Sequence, residues 1–290
     1  MRKHCTTLRQ NNSKIADMEK KISIVGIQTT PTTSGEENLT NALALADEAF
    51  ETYKHVDMLV LPEYFYRIVH RSEAESVEPY PETVIDEISR RAKKYSSYII
   101  AGTVANRKAN GSVYNTALFF DRNGKVAGEY SKIHLFDVMN AMGGMNESDI
   151  ITRGDSIFTY EADFGKIGIM ICYDIRFPEL ARTLALKGVQ YIFVPSAFYS
   201  PRADHWQCLL RAMALQNSVY VAGVNLFGKL DDANVFCGRS LIADPWGVPV
   251  AVASDKPGII QAYIDREYAG SIRDLIGSLY NRAPSLYEIV

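Results

Sequence analysis

The chain has 290 residues, 47% of them hydrophobic, with a formal net charge of −3. That length buries a large core within one α/β domain, and the mild acidity leaves no basic stripe for a nucleic acid. No apolar run approaches the roughly 18 residues that cross a bilayer, so the sequence predicts neither a membrane nor a nucleic-acid partner. Its four cysteines, at positions 5, 172, 208 and 237, form no CxxC and no metal-ligand spacing, which suits a reducing cytoplasm and predicts no metal.

Residues 1–20 are polar and lack the apolar core of a secretory signal, so they read as a tail ahead of a domain over 21–290. His4 beside Cys5 supplies too few ligands for a metal site. Residues 22–27 alternate as a strand, and Leu39, Leu43, Ala46, Phe50 and Tyr53 then recur at helical spacing. A second strand over 58–61 stops at Pro62 and is followed by Glu63. The next helix covers 82–95, with Val84, Ile85, Ile88, Ala92 and Tyr95 on its apolar side. Strands follow over 98–104, 113–120 and 126–130, the last two joined by the turn Asp121-Arg122-Asn123-Gly124, and Lys132 stands just past the third. The stretch 137–155, with two adjacent glycines and three methionines, is the expected lid.

The second half repeats the theme. An apolar run over 167–171 ends at Cys172, and Pro178 opens a helix that stops at Gly188. Strands over 191–194 and 220–224 flank a helix over 203–216. Residues 240–243 and 248–252 pair through Pro245-Trp246-Gly247, and 259–264 closes the series. No linker, fixed-period repeat or low-complexity block divides the chain. Two halves rich in βαβ units suggest two sheets, each covered by helices on its outer face, although periodicity equally allows one doubly wound sheet.

Cys172 sits where a strand breaks into a helix start. A sharp turn there lifts one side chain out of the packed layer and lets the following N–H, that of Tyr173, face the same spot, as in elbows built on serine. Alone, a free cysteine is more often a buried structural residue, and a lone Glu or Lys at a strand end is usually solvated. Thiol, carboxylate and ammonium at three strand ends are a different matter, because functional groups of α/β folds collect at that edge of the sheet.

The three positions lie in LPEYF (Glu63), YSKIHLFD (Lys132) and ICYDIRFPEL (Cys172). With PSAF at 195–198, PRADHW at 201–206, RAMALQN at 211–217 and DPWG at 244–247, the chain resembles the nitrilase superfamily of carbon–nitrogen hydrolases over about 22–287, and within it the omega-amidase branch, which includes 2-oxoglutaramate amidases. The resemblance implies a four-layer α-β-β-α sandwich, no cofactor, and a Glu63-Lys132-Cys172 triad. Glu147, in GMNESD, aligns with a second glutamate that the family uses near the nucleophile. The resemblance also implies a homodimer or higher homo-oligomer, with the segment from 280 to 290 as an interface arm.

The chemistry explains the residue types. An amide carbonyl is a poor electrophile and a neutral thiol a poor nucleophile, so Glu63 is expected to take the thiol proton, pass it to the departing amine, and later activate water against the thioester. Lys132, beside the Tyr173 N–H, is expected to stabilise the oxyanion and, by proximity, to favour the Cys172 thiolate. Glu147 could orient Lys132 or the thiol.

For the substrate, the omega-amidase resemblance implies a short amide ending in a carboxylate, such as 2-oxoglutaramate or 2-oxosuccinamate, which calls for a fixed cation. Arg176 occupies the position that contacts this carboxylate in related omega-amidases; its bland alternative is an ion pair with Asp174 or Glu179. Tyr199 stands where some relatives carry a small hydroxyl residue. Arg67 and Arg202 are further candidates for the rim. N-carbamoyl compounds or nitriles on the same triad, and a non-catalytic scaffold, are the competing readings. His134 and His205 are expected to be structural, Trp206 to frame the pocket or pack its helix, Cys208 to pack into the core, Cys237 to lie in an exposed loop, and Arg273 to be solvated.

Overall fold

The computed structural model describes residues 21–137 and 146–287. In the first half, strands Lys21–Gln28 (β1), Met58–Val60 (β2), Tyr98–Ile100 (β3), Val104–Arg107 (β4), Val113–Phe120 (β5) and Val126–Ser131 (β6) are interleaved with helices Gly35–Thr52 (α1) and Glu82–Tyr95 (α2). Phe158–Ala162 (β7), Gly165–Ile169 (β8), helix Pro178–Leu186 (α3), Tyr191–Ser196 (β9), helix Ala203–Asn217 (α4) and Tyr220–Asn225 (β10) follow. The chain continues through Phe227–Lys229 (β11), Val235–Cys237 (β12), Leu241–Ala243 (β13), Pro249–Val252 (β14) and Gly258–Asp265 (β15) to helix Tyr268–Ile276 (α5).

Two large sheets result. A seven-stranded sheet runs β15-β1-β2-β3-β5-β4 with β6 added on β5, and a six-stranded sheet runs β14-β13-β10-β9-β8-β7. In each, the central strands are parallel, β1 with β2 and β3 in the first and β8 with β9 and β10 in the second. Strand alternation then sets the layers. Ile22 and Ile24 of β1 join Ile167, Ile169 and Phe193 in the core between the sheets, while Val25 and Ile27 face Leu39, Leu43 and Phe50 of α1. On the second sheet, a Cβ on Gly168 or Gly223 would strike Leu184 of α3 or Leu210 and Trp206 of α4, so these helices cover the face opposite the shared core. The architecture is a four-layer α-β-β-α sandwich, and each large aliphatic side chain sealed in it contributes about 1.5–3 kcal/mol.

Local chemistry fixes the element ends. The Ser34 side chain accepts from Glu37 N to cap α1, and Glu36 and Glu37 complement its positive end. Pro178 opens α3 in the first turn, where no N–H is needed. The strand expected over 98–104 breaks in two, because Gly102, at φ +42°, comes so close to Pro62 that a Cβ would lie 2.0 Å from the Pro62 carbonyl oxygen. The bend separates β3 from β4 against Pro62, the residue before Glu63. The β11–β12 hairpin and α5 were not expected. Trp206 packs its helix, with its indole N–H donating to the Arg239 carbonyl at 2.8 Å. Residues 1–20 and 288–290 lie outside the described residues, as does 138–145 of the expected lid; the rest of that stretch includes a 310 turn over Glu147–Asp149.

Two cysteines exchange their expected places. Cys208 is exposed and Cys237 is buried. The buried residues of α4 are Trp206, Leu210, Met213, Ala214 and Asn217, a stripe from which Cys208 is turned away by about 200° relative to Trp206. Cys237 lies in β12, where Asn225 Nδ2 donates to its sulfur at 3.2 Å. Arg273 is likewise not a solvated charge, since its guanidinium donates to the carbonyls of Ser218 and Val189.

Candidate active site

Both sheets end at one place. Three residues after β2 comes Glu63, one after β6 comes Lys132, and three after β8 comes Cys172, while Ala197 directly follows β9. The backbone is bent where the chemistry is: Cys172 has φ +45° and Tyr64, beside Glu63, has φ +52°, a region that L-residues occupy only when their surroundings impose it. At Cys172 that bend begins a 310 turn over Cys172–Arg176. Asp174, wholly buried, clamps the turn by accepting from Ile171 N at 2.8 Å, Tyr130 OH at 2.7 Å and His134 N at 3.1 Å. His134 also bonds Asp174 through Nδ1 at 2.7 Å and stacks on Phe177. The histidine therefore ties the Lys132 segment to the Cys172 turn.

Glu63, Lys132 and Glu147 form one buried cluster. Lys132 Nζ donates to Glu63 Oε1 at 3.0 Å and to Glu147 Oε2 and Oε1 at 2.8 and 3.2 Å. Glu63 also accepts from Ala197 N at 2.7 Å, and Glu147 from Phe136 N at 2.7 Å and Tyr64 OH at 3.2 Å. Asn115, in mid-β5, lends its amide nitrogen to both carboxylates, at 2.8 Å to Glu63 and 3.1 Å to Glu147. Its Oδ1 is buried with no partner. Lys132 and Glu63 are 2% and 1% exposed, whereas Cys172 retains 9%, so Cys172 is the most accessible member of the triad.

The charges follow from this packing. Burial works against the Lys132 ammonium, but Glu147 and then Glu63 outweigh it and hold its pKa well above the usual lysine value. Burial pushes the Cys172 thiol well above its ordinary value, and the nearby Glu63 carboxylate adds to this against the pull of Lys132. Lys132 thus pulls toward the thiolate, as expected, but desolvation and Glu63 outweigh it and favour the neutral thiol.

A cavity of about 120 Å³ opens above the cluster, with Glu63, Lys132, Glu147, Cys172, Tyr173, Arg176 and Tyr199 all in its wall. Burial, then Cys172, raises the Tyr199 phenol to about 12; the hydroxyl donates to Asn234 Oδ1 at 3.0 Å. Arg176 pairs with neither Asp174 nor Glu179 among the described residues. Its Nη2 meets His205 Nδ1 at 3.2 Å, and its guanidinium lies 5.5 Å from the Phe198 ring centre. Arg67 is outside the wall and bonds Glu73, while Arg202 is in it. Asn115 was missed by the sequence reading, although a lone amide inside the apolar strand VYNTALFF was a signal. No group of three or more potential metal ligands occurs among the described residues.

Two sheets that deliver carboxylate, ammonium and thiol to one buried point define a hydrolase site of the nitrilase type. Residues 21–274 match the carbon–nitrogen hydrolase family, and the chain belongs to it. It is 38% identical over 226 residues to the 2-oxoglutaramate amidase of Bacillus subtilis, covering 77% of this chain and 83% of that protein. It is 35% identical over 272 residues to omega-amidase NIT2 of Xenopus tropicalis, covering 93% and 97%. Among solved structures it is similar to Saccharomyces cerevisiae Nit3, a member of branch 10 of the nitrilase superfamily, with a TM-score of 0.81 and 30% identity over 89% of this chain and 94% of that one.

Proposed function

We propose that the protein is a cysteine-dependent omega-amidase, hydrolysing the terminal amide of a small carboxylate-bearing substrate such as 2-oxoglutaramate through a thioester. The observation that carries this reading is the Lys132 ammonium held between Glu63 and Glu147, with the Cys172 thiol in the same cavity wall as all three. In the first step the sulfur attacks the amide carbon as its proton passes to Glu63; a C–S bond forms and the carbonyl electrons move to oxygen. Lys132 Nζ and the Tyr173 N–H stabilise that oxyanion, an effect for which one lost donor typically costs about a hundredfold or more in rate. Collapse breaks the C–N bond, and the proton on Glu63 leaves with the nitrogen as ammonia. Glu63 then deprotonates a water that attacks the thioester, returning the thiol and a carboxylic acid.

Glu147 acts on Lys132, which it keeps charged and aimed. Because the thiol rests neutral, the proton transfer must accompany attack, and Glu63 is therefore indispensable. Arg176 and Tyr199 are assigned to the substrate tail. The names of the relatives in Bacillus subtilis and Xenopus tropicalis support the substrate class. Exposed Tyr280, Leu286 and Tyr287 support assembly into a homo-oligomer through the C-terminal segment. No helix among the described residues is long and apolar enough to cross a membrane.

The test is ammonia release from matched panels of short omega-amide acids, N-carbamoyl amino acids and nitriles. The reading expects the omega-amide acids to lead in kcat/KM by at least tenfold. A carbamoyl or nitrile substrate in first place would overturn it.

A further inference from the structure

The charges at the cavity mouth are not balanced. Of the arginines nearest to it, Arg67 is tied to Glu73 and Arg71 bonds Asp149 at 3.2 Å. Arg176 and Arg202 both line the cavity, and neither has a carboxylate partner among the described residues. Arg176 at least has His205 for a neighbour, but among the described residues the Arg202 guanidinium has only the face of Phe136, 5.5 Å from its centre. A half-buried guanidinium with five N–H donors and no acceptor is poised to take an anion. Much of the rest of the wall is apolar, with Ile68, Val69, Phe136, Ile150, Phe198 and Phe236, and of its polar groups Tyr199 and Asn234 bond each other at 3.0 Å.

The seat of Arg202 is also connected to the reaction centre. Phe136, the ring beneath the guanidinium, donates its backbone N–H to Glu147 Oε2 at 2.7 Å, the same oxygen that receives Lys132 Nζ at 2.8 Å. We infer that Arg202 is a specificity-determining residue, a second reader of the substrate's anionic tail alongside Arg176, and that the carboxylate it captures presses on Phe136 and so steadies the Glu147–Lys132 pair. The inference rests on the omega-amidase reading for its substrate. Binding energy from the non-reacting end of the substrate is then used at the reacting end.

A binding experiment separates this inference from the function itself. In a Cys172→Ala background, which cannot turn over, the dissociation constants of glutarate and of neutral glutaramide are measured by calorimetry for the parent and for Arg202→Met and Arg202→Lys. Arg202→Met should weaken glutarate by at least tenfold more than glutaramide, and Arg202→Lys, which keeps the charge and loses the fork, should fall between. In the catalytically intact chain, Arg202→Met should lower kcat as well as raise KM for an omega-amide acid. Equal weakening of the two ligands, or glutarate binding that is absent in the parent or unmoved by Arg202→Met, overturns the inference. A chain that binds glutarate through Arg202 yet releases no ammonia from any omega-amide would instead overturn the proposed function and leave the anion site standing.

Discussion

Replacing Lys132 by Met tests the buried cluster through stability and rate together. Lys132 is 2% exposed and its ammonium is shared by two carboxylates. Methionine fills much the same space and leaves Glu63 and Glu147 facing each other without a cation. Removing one partner of a buried ion pair costs about 3–5 kcal/mol, so urea unfolding followed by far-UV circular dichroism should show an unfolding free energy lowered by that amount, through a lower midpoint with an unchanged slope. The pH dependence has a definite sign. The Lys132 pKa is raised in the folded protein, so its contribution is complete below the unfolded lysine value of about 10.4 and declines as pH rises beyond it. The deficit of the variant should be level through neutral pH and narrow above about pH 10.4. Adding Glu147→Gln should recover part of it, because one of the stranded charges is gone. Single-turnover acylation should slow by about 3 kcal/mol in barrier, roughly 150-fold, from the lost oxyanion donor. A variant within about 1 kcal/mol of the parent that acylates within about tenfold of its rate would refute the reasoning.

The remaining predictions concern neighbouring groups. Glu63→Gln keeps the shape and removes the base, so acylation should fall by at least about a hundredfold at neutral pH; an unchanged single-turnover rate would reassign Glu63 to structure. Asn115→Leu removes two hydrogen bonds to charged carboxylates, each worth about 1.5–3 kcal/mol, and relieves one orphaned acceptor worth about 1–3 kcal/mol. The net loss should be about 2–3 kcal/mol in urea unfolding, and a variant as stable as the parent would mean that the amide bridge is idle. Arg176→Lys should reduce kcat/KM for an omega-amide acid about tenfold more than for a neutral amide of equal length, since only the former uses the planar fork; equal losses would assign Arg176 to the support of the Cys172 turn.

The parts of the fold that were legible in the sequence are those with strong periodicity. The β1 alternation and the apolar side of α2 led directly to their layers, whereas the bend at Gly102 depends on a carbonyl some forty residues away that no local pattern reveals. Cys208 and Cys237 were misplaced for related reasons. The α4 stripe had to be phased from Trp206 rather than from neighbouring apolar residues, and the β11–β12 hairpin is too short to announce itself. At the site, Glu63, Lys132 and Cys172 stand out because each follows a strand within a recognisable motif, and the structure brings them together with Glu147. The roles of Asn115 and Asp174 come from pairings across 52 and 44 positions. Arg202 stands apart only once the ion pairs of Arg67 and Arg71 are known.

The central claim is a covalent bond to Cys172, and intact-mass measurement during turnover tests it most directly. Protein mixed with a short omega-amide acid and quenched in acid within one turnover should gain the mass of the acyl group, on the peptide that contains Cys172, while ammonia appears in equal amount. Cys172→Ala should be folded, carry no adduct and release no ammonia. Turnover without an adduct in the parent, or a Cys172→Ala protein that keeps about a tenth of the parent rate, would contradict the account.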